Sequence, residues 1–195
     1  MTTNQPKDDA HLWYALRVRS RSELSVATIL RGKGYEEFLP LYRSTHRWSD
    51  RVKAVDLPLF PGYLFCRLDV RDRLLPVLTT PGVVSFVGAG RTPIPVAGHE
   101  VTAIQAIVRS GLAALPWPSL ATGEKILIER GPLAGLEGIT LKVDGKCRLV
   151  VSVPLLQRSV TVEIERRWVR PIPDRKLPPP SASSLAGVHR QCHVL

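Results

Sequence analysis

The stretch from Ala113 to Thr122, with Pro116 and Pro118 around Trp117, divides the chain into two textures. Proline fixes φ and lacks an amide donor, so the stretch reads as a stiff, largely extended linker. Before it, helix-period and strand-period segments alternate. After it come only short strand-forming runs separated by Gly, Pro or Lys turns. A chain of 195 residues has room for one ordinary domain or two small ones plus a tail, and the change of texture selects the second.

In the first part, Leu12 to Val18 is rich in strand formers. Ser20-Arg21-Ser22-Glu23 fits a capping box, in which Ser20 satisfies a free amide while Glu23 reaches back. Leu24, Ala27 and Leu30, flanked by Val26 and Ile29, predict an apolar helix stripe that ends at Gly32 and Gly34. Phe38 to Tyr42 and Val52 to Leu59 flank a polar turn at 49–51, as in a long hairpin, and Leu64 to Leu68 reads as a buried strand. Val70 to Leu78 has helical spacing that Pro76 should shorten. Strands at Val83 to Val87 and Thr92 to Val96 precede a helix marked by Val101, Ile104, Ile107 and Val108. This order predicts an α+β fold with helices packed on an antiparallel sheet.

In the second part, Lys125 to Glu129, Ile139 to Val143, Leu149 to Val153 and Val160 to Ile164 predict a small five-stranded barrel. The density of β-branched residues over 149–164, broken by Pro154, favours strands there over a helical hairpin. From Pro171 on, a triple proline and repeated serines predict a disordered tail. The expected division is a flexible N-terminus (1–11), a first domain (12–112), the linker (113–122), a barrel (123–171) and the tail (172–195).

The net charge is +10, shared equally between residues 1–121 and 122–195. Such an excess points to nucleic acid or a nucleic-acid machine ahead of an anionic membrane. No apolar run approaches the roughly 20 residues of a spanning helix. Three cysteines, at 66, 147 and 192, cannot all pair within the chain, which suits a reduced, cytoplasmic setting. His189, Cys192 and His193 are isolated tail ligands with no second cluster, so no metal site is expected. Neither a nucleophile with its base nor a phosphate loop is present, so a non-catalytic protein without a cofactor is expected.

Pro58-Leu59-Phe60-Pro61-Gly62-Tyr63-Leu64-Phe65 resembles the signature of the NusG N-terminal (NGN) domain. Trp13-Tyr14, Thr80-Pro81-Gly82-Val83 and Phe86-Val87-Gly88 match the same pattern. Gly131-Pro132-Leu133-Ala134-Gly135-Leu136-Glu137-Gly138 resembles a KOW motif, which sits in an SH3-like barrel. Over residues 12 to 171 the chain therefore resembles the NusG family of transcription elongation and antitermination factors.

The resemblance implies RNA polymerase as partner, through the coiled-coil clamp helices of its largest subunit, with Phe60, Pro61, Tyr63 and Phe65 as the receiving surface. Alternation puts Tyr63 and Phe65 on one face, where they can serve core and partner pocket together. A second surface, opposite the first, would face upstream or non-template DNA through Arg17, Arg19 and Arg21 and the small polar pair Thr79-Thr80. Arg43, Arg47, Trp48 and Arg51 mix cations with an aromatic on the hairpin, the composition of a nucleic-acid contact or of a solvated tip. Leu155, Leu156 and Arg158 fall where NusG contacts a ribosomal protein or Rho. The form Pro-Leu-Phe-Pro-x-Tyr-Leu-Phe and the compact 42–60 region resemble the specialised RfaH-, LoaP- and UpxY-like paralogues, which act on long operons. The competing reading is a KOW-type RNA- or ribosome-binding protein that does not act through polymerase.

Overall fold

The computed structural model describes residues 11–47, 52–71, 73–117, 123–143 and 146–172, with the side chains of 45–47, 52–53 and 142–143 excepted. Expectations for the N-terminus, for Trp48 and Arg51, for the Arg47 side chain and for the tail lie outside these residues.

Strand β1 (Leu12–Val18) leads into helix α1 (Glu23–Gly32) and the short β2 (Glu36–Phe38). A hairpin of β3 (Leu41–Arg47) and β4 (Val52–Pro58) follows, paired from Leu41↔Pro58 to Arg47↔Val52. Then come β5 (Tyr63–Leu68), α2 (Leu74–Leu78), β6 (Val83–Phe86), the small strands β7 (Gly88–Ala89), β8 (Thr92–Pro93) and β9 (Pro95–Val96), and α3 (Gly98–Arg109). The main sheet is antiparallel, ordered β2-β5-β1-β6, with β9 also paired to β1.

Because β1 and β5 are paired Leu16↔Leu64 and Ala15↔Phe65, alternation gives this sheet two buried faces. Tyr14, Leu16, Val18, Leu64, Cys66 and Leu68 share one cluster with Val26 and Leu30 of α1 and Val77 of α2. On the other face Ala15 and Phe65 join Val101, Ile104 and Ile107 of α3. Helices thus pack on both faces, as the α+β reading requires.

Helix α1 departs from its expected stripe. Glu23, Val26, Ala27 and Leu30 are its buried residues, whereas Leu24 is 57% exposed. The i, i+3, i+4, i+7 pattern is kept but turned by one residue, so a carboxylate starts the core-facing side. No capping box forms: Ser22 is the N-cap and makes no side-chain cap bond. The C-terminus follows expectation, with Gly34 at φ 77° and the Tyr35 amide bonding back to Leu30 O. Pro76 shortens α2 to five residues, as anticipated.

The second sheet is antiparallel and contains β10 (Ala114–Trp117), β11 (Glu124–Ile128), β12 (Glu137–Val143), β13 (Lys146–Val153), β14 (Arg158–Glu163) and β15 (Val169–Pro171), in the order β10-β14-β13-β12-β11-β15. Residues 149–163 are thus mostly strand, not helical hairpin. The proline-bracketed segment is not a free linker throughout. Ala114 to Trp117 pairs with β14 from Ala114↔Val162 to Trp117↔Ser159, making six strands where five were expected. A sheet edge tolerates proline because only alternate amides face the neighbouring strand.

The inward row of this sheet (Ile126, Ile128, Leu149, Val151, Val153, Val160, Val162 and Ile164) belongs to the same hydrophobic cluster as the α3 face of the first sheet. Val150, Ser159 and Thr161 fall on the opposite row by alternation, yet they are also buried. Helix α3 packs on both β1 and β13, so one helix serves both sheets.

Candidate functional site

The Phe60–Tyr63 turn joins β4 to β5. Pro61 supplies the fixed φ of the first central position, and Gly62 takes φ 82° at the second, a type II pattern. The Tyr63 amide donates to Phe60 O at 3.0 Å and closes it. Gly62 is held on both sides. Its carbonyl accepts from Val18 N at 2.8 Å, and its amide donates to Glu23 Oε1 at 2.9 Å.

The four residues expected at the polymerase surface divide into two pairs. Phe60 and Phe65 are fully buried, edge-to-face at 5.6 Å, with Phe38 stacked on Phe65. They form the floor of the site and are not exposed anchors, because both rings pack in the cluster that α3 closes on this face of the sheet. Pro61 is exposed and Tyr63 half-buried, so these two are the accessible members of the four.

Arg17 is paired with Tyr63 across β1 and β5, and directly opposed residues of an antiparallel pair project to one face. Arg17 is exposed and stands beside the turn, not on a surface opposite to it. Arg19 and Arg21 are exposed in the β1–α1 connection. The Arg19 amide donates to Gly82 O at 2.8 Å, which ties this connection to the Pro81-Gly82 turn. Arg21 has φ 65°, a left-handed conformation uncommon for a long side chain. Arg43 is exposed on β3 and is paired with Asp56 of β4 in the strand register.

The two threonines have different surroundings. Thr79 is exposed and bonds Leu75 O at 3.1 Å at the end of α2. Thr80 is 2% exposed; its hydroxyl donates to Pro76 O at 3.0 Å and accepts from Lys33 Nζ at 2.8 Å. Thr80 is therefore a structural joint between the ends of α1 and α2 and is not available to a base.

In the second sheet unit, Leu155 and Leu156 lie in one 3-10 turn (Pro154–Leu156), followed by Gln157 at φ 53°. Leu156 is buried in the shared cluster and Leu155 is half-buried against it; Arg158 is half-buried at the start of β14. The expected partner-contact stretch thus has its apolar members turned into the core. In the Gly131–Gly138 turn, a Cβ at Gly131 would lie 3.0 Å from the Trp168 ring, and φ there is 83°, so only glycine fits.

Cys66 is buried, and its thiol is pushed up to about 12, chiefly by burial and then by nearby Glu37. A thiol held neutral in this way is not a nucleophile. No group of three or more His, Cys, Asp or Glu residues stands together among the described residues. No helix among them is long and apolar enough to cross a membrane.

An aromatic-floored Pro-Gly turn on an α+β sheet, followed by a second antiparallel sheet with a glycine-rich turn, is the two-part arrangement that the NusG resemblance implies. The profile described as "Transcription termination factor nusG" matches residues 11–105. The transcription termination/antitermination protein NusG of Thermus thermophilus is 31% identical over 133 residues, which cover 61% of this chain and 70% of that protein. Its Vibrio vulnificus counterpart is 28% identical over 166 residues, 78% of this chain and 91% of that protein. A solved structure described as "Domain interaction in Thermotoga maritima NusG" has the same fold, with a TM-score of 0.53 at 21% identity, covering 84% of this chain and 98% of that one. The chain belongs to the NusG family of transcription termination/antitermination proteins.

The sequence alone did not reveal Glu23 and α3 as parts of this site. The one available signal was the acidic residue in the first turn of α1, and its partner is 39 residues away.

Proposed function

We propose that this chain is a non-catalytic elongation and antitermination factor that binds the clamp helices of the RNA polymerase largest subunit through Pro61 and Tyr63. The observation that carries this reading is the turn itself: an exposed proline and a half-buried tyrosine held rigidly above the buried Phe60 and Phe65. An aromatic anchor beside a well-packed floor is the usual form of an interface hot spot. Arg17, Arg19 and Arg21 lie next to this turn and provide the nearby contact to upstream or non-template DNA, with Arg43 as a further cation on the hairpin. The Pro-Leu-Phe-Pro-x-Tyr-Leu-Phe form supports a specialised role in processive transcription of particular long operons. Leu155, Leu156 and Arg158 would meet a ribosomal protein or Rho only after leaving their present packing.

The test is capture of core RNA polymerase by the full chain, with isolated clamp helices as competitor. Binding that the competitor abolishes and that Tyr63→Ala weakens supports the reading. Failure to bind polymerase, with retained binding to RNA or ribosomes, would favour the KOW-type alternative instead.

A further inference from the structure

Glu23 occupies a place where an apolar residue is expected. It begins the i, i+3, i+4, i+7 row that α1 turns to the core, and it is 6% exposed. A buried carboxylate is costly unless hydrogen-bonded. The partner here is the Gly62 amide at 2.9 Å, in the middle of the Phe60–Tyr63 turn. That amide belongs to the peptide between exposed Pro61 and the left-handed Gly62, so its orientation sets where Pro61 stands relative to Tyr63.

The other side of Gly62 is fixed by Val18 N, at the end of β1. Val18 and Glu23 are the residues that enclose the β1–α1 connection carrying Arg19 and Arg21. One short connection therefore holds both hydrogen-bonding groups of Gly62. The two contacts differ in kind. The Val18 bond is backbone and survives any substitution except proline, whereas the Glu23 bond is a side-chain choice.

We propose that Glu23 is a positioning residue for polymerase binding: its carboxylate oxygen orients the Gly62 peptide so that Pro61 and Tyr63 present one pre-formed contact. This rests on the proposed role of Pro61 and Tyr63. Pre-organisation raises affinity by removing the ordering cost from the binding step. A buried hydrogen bond from a backbone amide to a side-chain oxygen of the right reach is strong enough to hold such a peptide.

The test compares three full-length variants for binding to core RNA polymerase. Glu23→Gln keeps an oxygen at the same reach and should bind within about twofold of the parent. Glu23→Asp keeps the charge but is one methylene too short, and should bind roughly five- to tenfold more weakly, as should Glu23→Ala. Gly62 amide exchange should be slow in the parent and Glu23→Gln and faster in the other two.

Val77→Ala, which opens a cavity in the buried face of α2, gives a destabilised control that should retain parental affinity. If affinity followed melting temperature across all four variants, the positioning role would be wrong and Glu23 merely structural. If Glu23→Asp bound normally and Glu23→Gln poorly, charge and not reach would be the property used, and the proposal would also fail. Tyr63→Ala separates the two levels. Normal polymerase binding by that variant removes the underlying site, whereas weak binding by Tyr63→Ala with normal binding by Glu23→Ala removes only the role of Glu23.

Discussion

Arg17 and Tyr63 stand directly across from each other on paired strands, so a cation and an aromatic ring share one face at the same end of the sheet. Aromatic and charged recognition are therefore neighbours here. A partner that covers Tyr63 also approaches Arg17, and polymerase binding should be salt-sensitive even without nucleic acid.

Phe60 and Tyr63 should separate cleanly on substitution. Phe60→Ala removes a fully buried ring and should cost about 3 to 5 kcal/mol of stability, read from chemical denaturation. Tyr63→Ala should cost less stability but about 2 kcal/mol of polymerase affinity, roughly thirtyfold. The opposite assignment of losses would show that Phe60 is the contact and Tyr63 the brace.

Arg21 is expected to tolerate glycine better than Arg19 does. At φ 65° the left-handed conformation strains an arginine and not a glycine, so Arg21→Gly should leave stability unchanged or raise it by up to about 1 kcal/mol. The same variant should weaken binding to a transcription elongation complex and lower the salt slope by about one for each phosphate no longer neutralised. An unchanged slope would remove Arg21 from the nucleic-acid surface.

Thr80→Val should destabilise the protein by about 1 kcal/mol by breaking the link to Pro76 O and Lys33. Affinity for single-stranded DNA should not change. A selective loss of DNA binding without loss of stability would return Thr80 to the reading surface.

Burial of Cys66 has a defined pH signature. Its folded value of about 12 lies above the ordinary value near 9, so rising pH ionises the unfolded chain first. Stability should therefore fall between about pH 9 and pH 12, and replacing Cys66 by Ala should remove that component. At pH 8 the thiol should resist a disulfide reagent until the protein unfolds; rapid labelling in the native state would contradict this burial.

How far the chain could be read before its structure follows from the range of the interactions. The β3–β4 hairpin and the strands of the second sheet were legible because alternation and turn residues are local. The roles of Glu23 and Thr80 were not, since their partners lie 39 and 47 residues away and nothing in their neighbours announces them. Phe60 misled for a related reason. A Pro-Gly interruption suggests an exposed loop, but whether the flanking ring points outward depends on Phe65 and α3, which complete the floor. Pro116 and Pro118 suggested a linker but could not reveal that a free sheet edge would accept Ala114 to Trp117.

That accepted segment gives the second sheet a leash whose length depends on pairing. With Ala114 to Trp117 zipped onto β14, only Ser110 to Ala113 separate α3 from the second sheet, about 13 Å of chain at full stretch. Unzipped, the connection runs from Ser110 to Gly123 and extends to about 45 Å. Peeling Ala114 to Trp117 from the edge would therefore lengthen the tether more than threefold and widen the territory the second sheet can search.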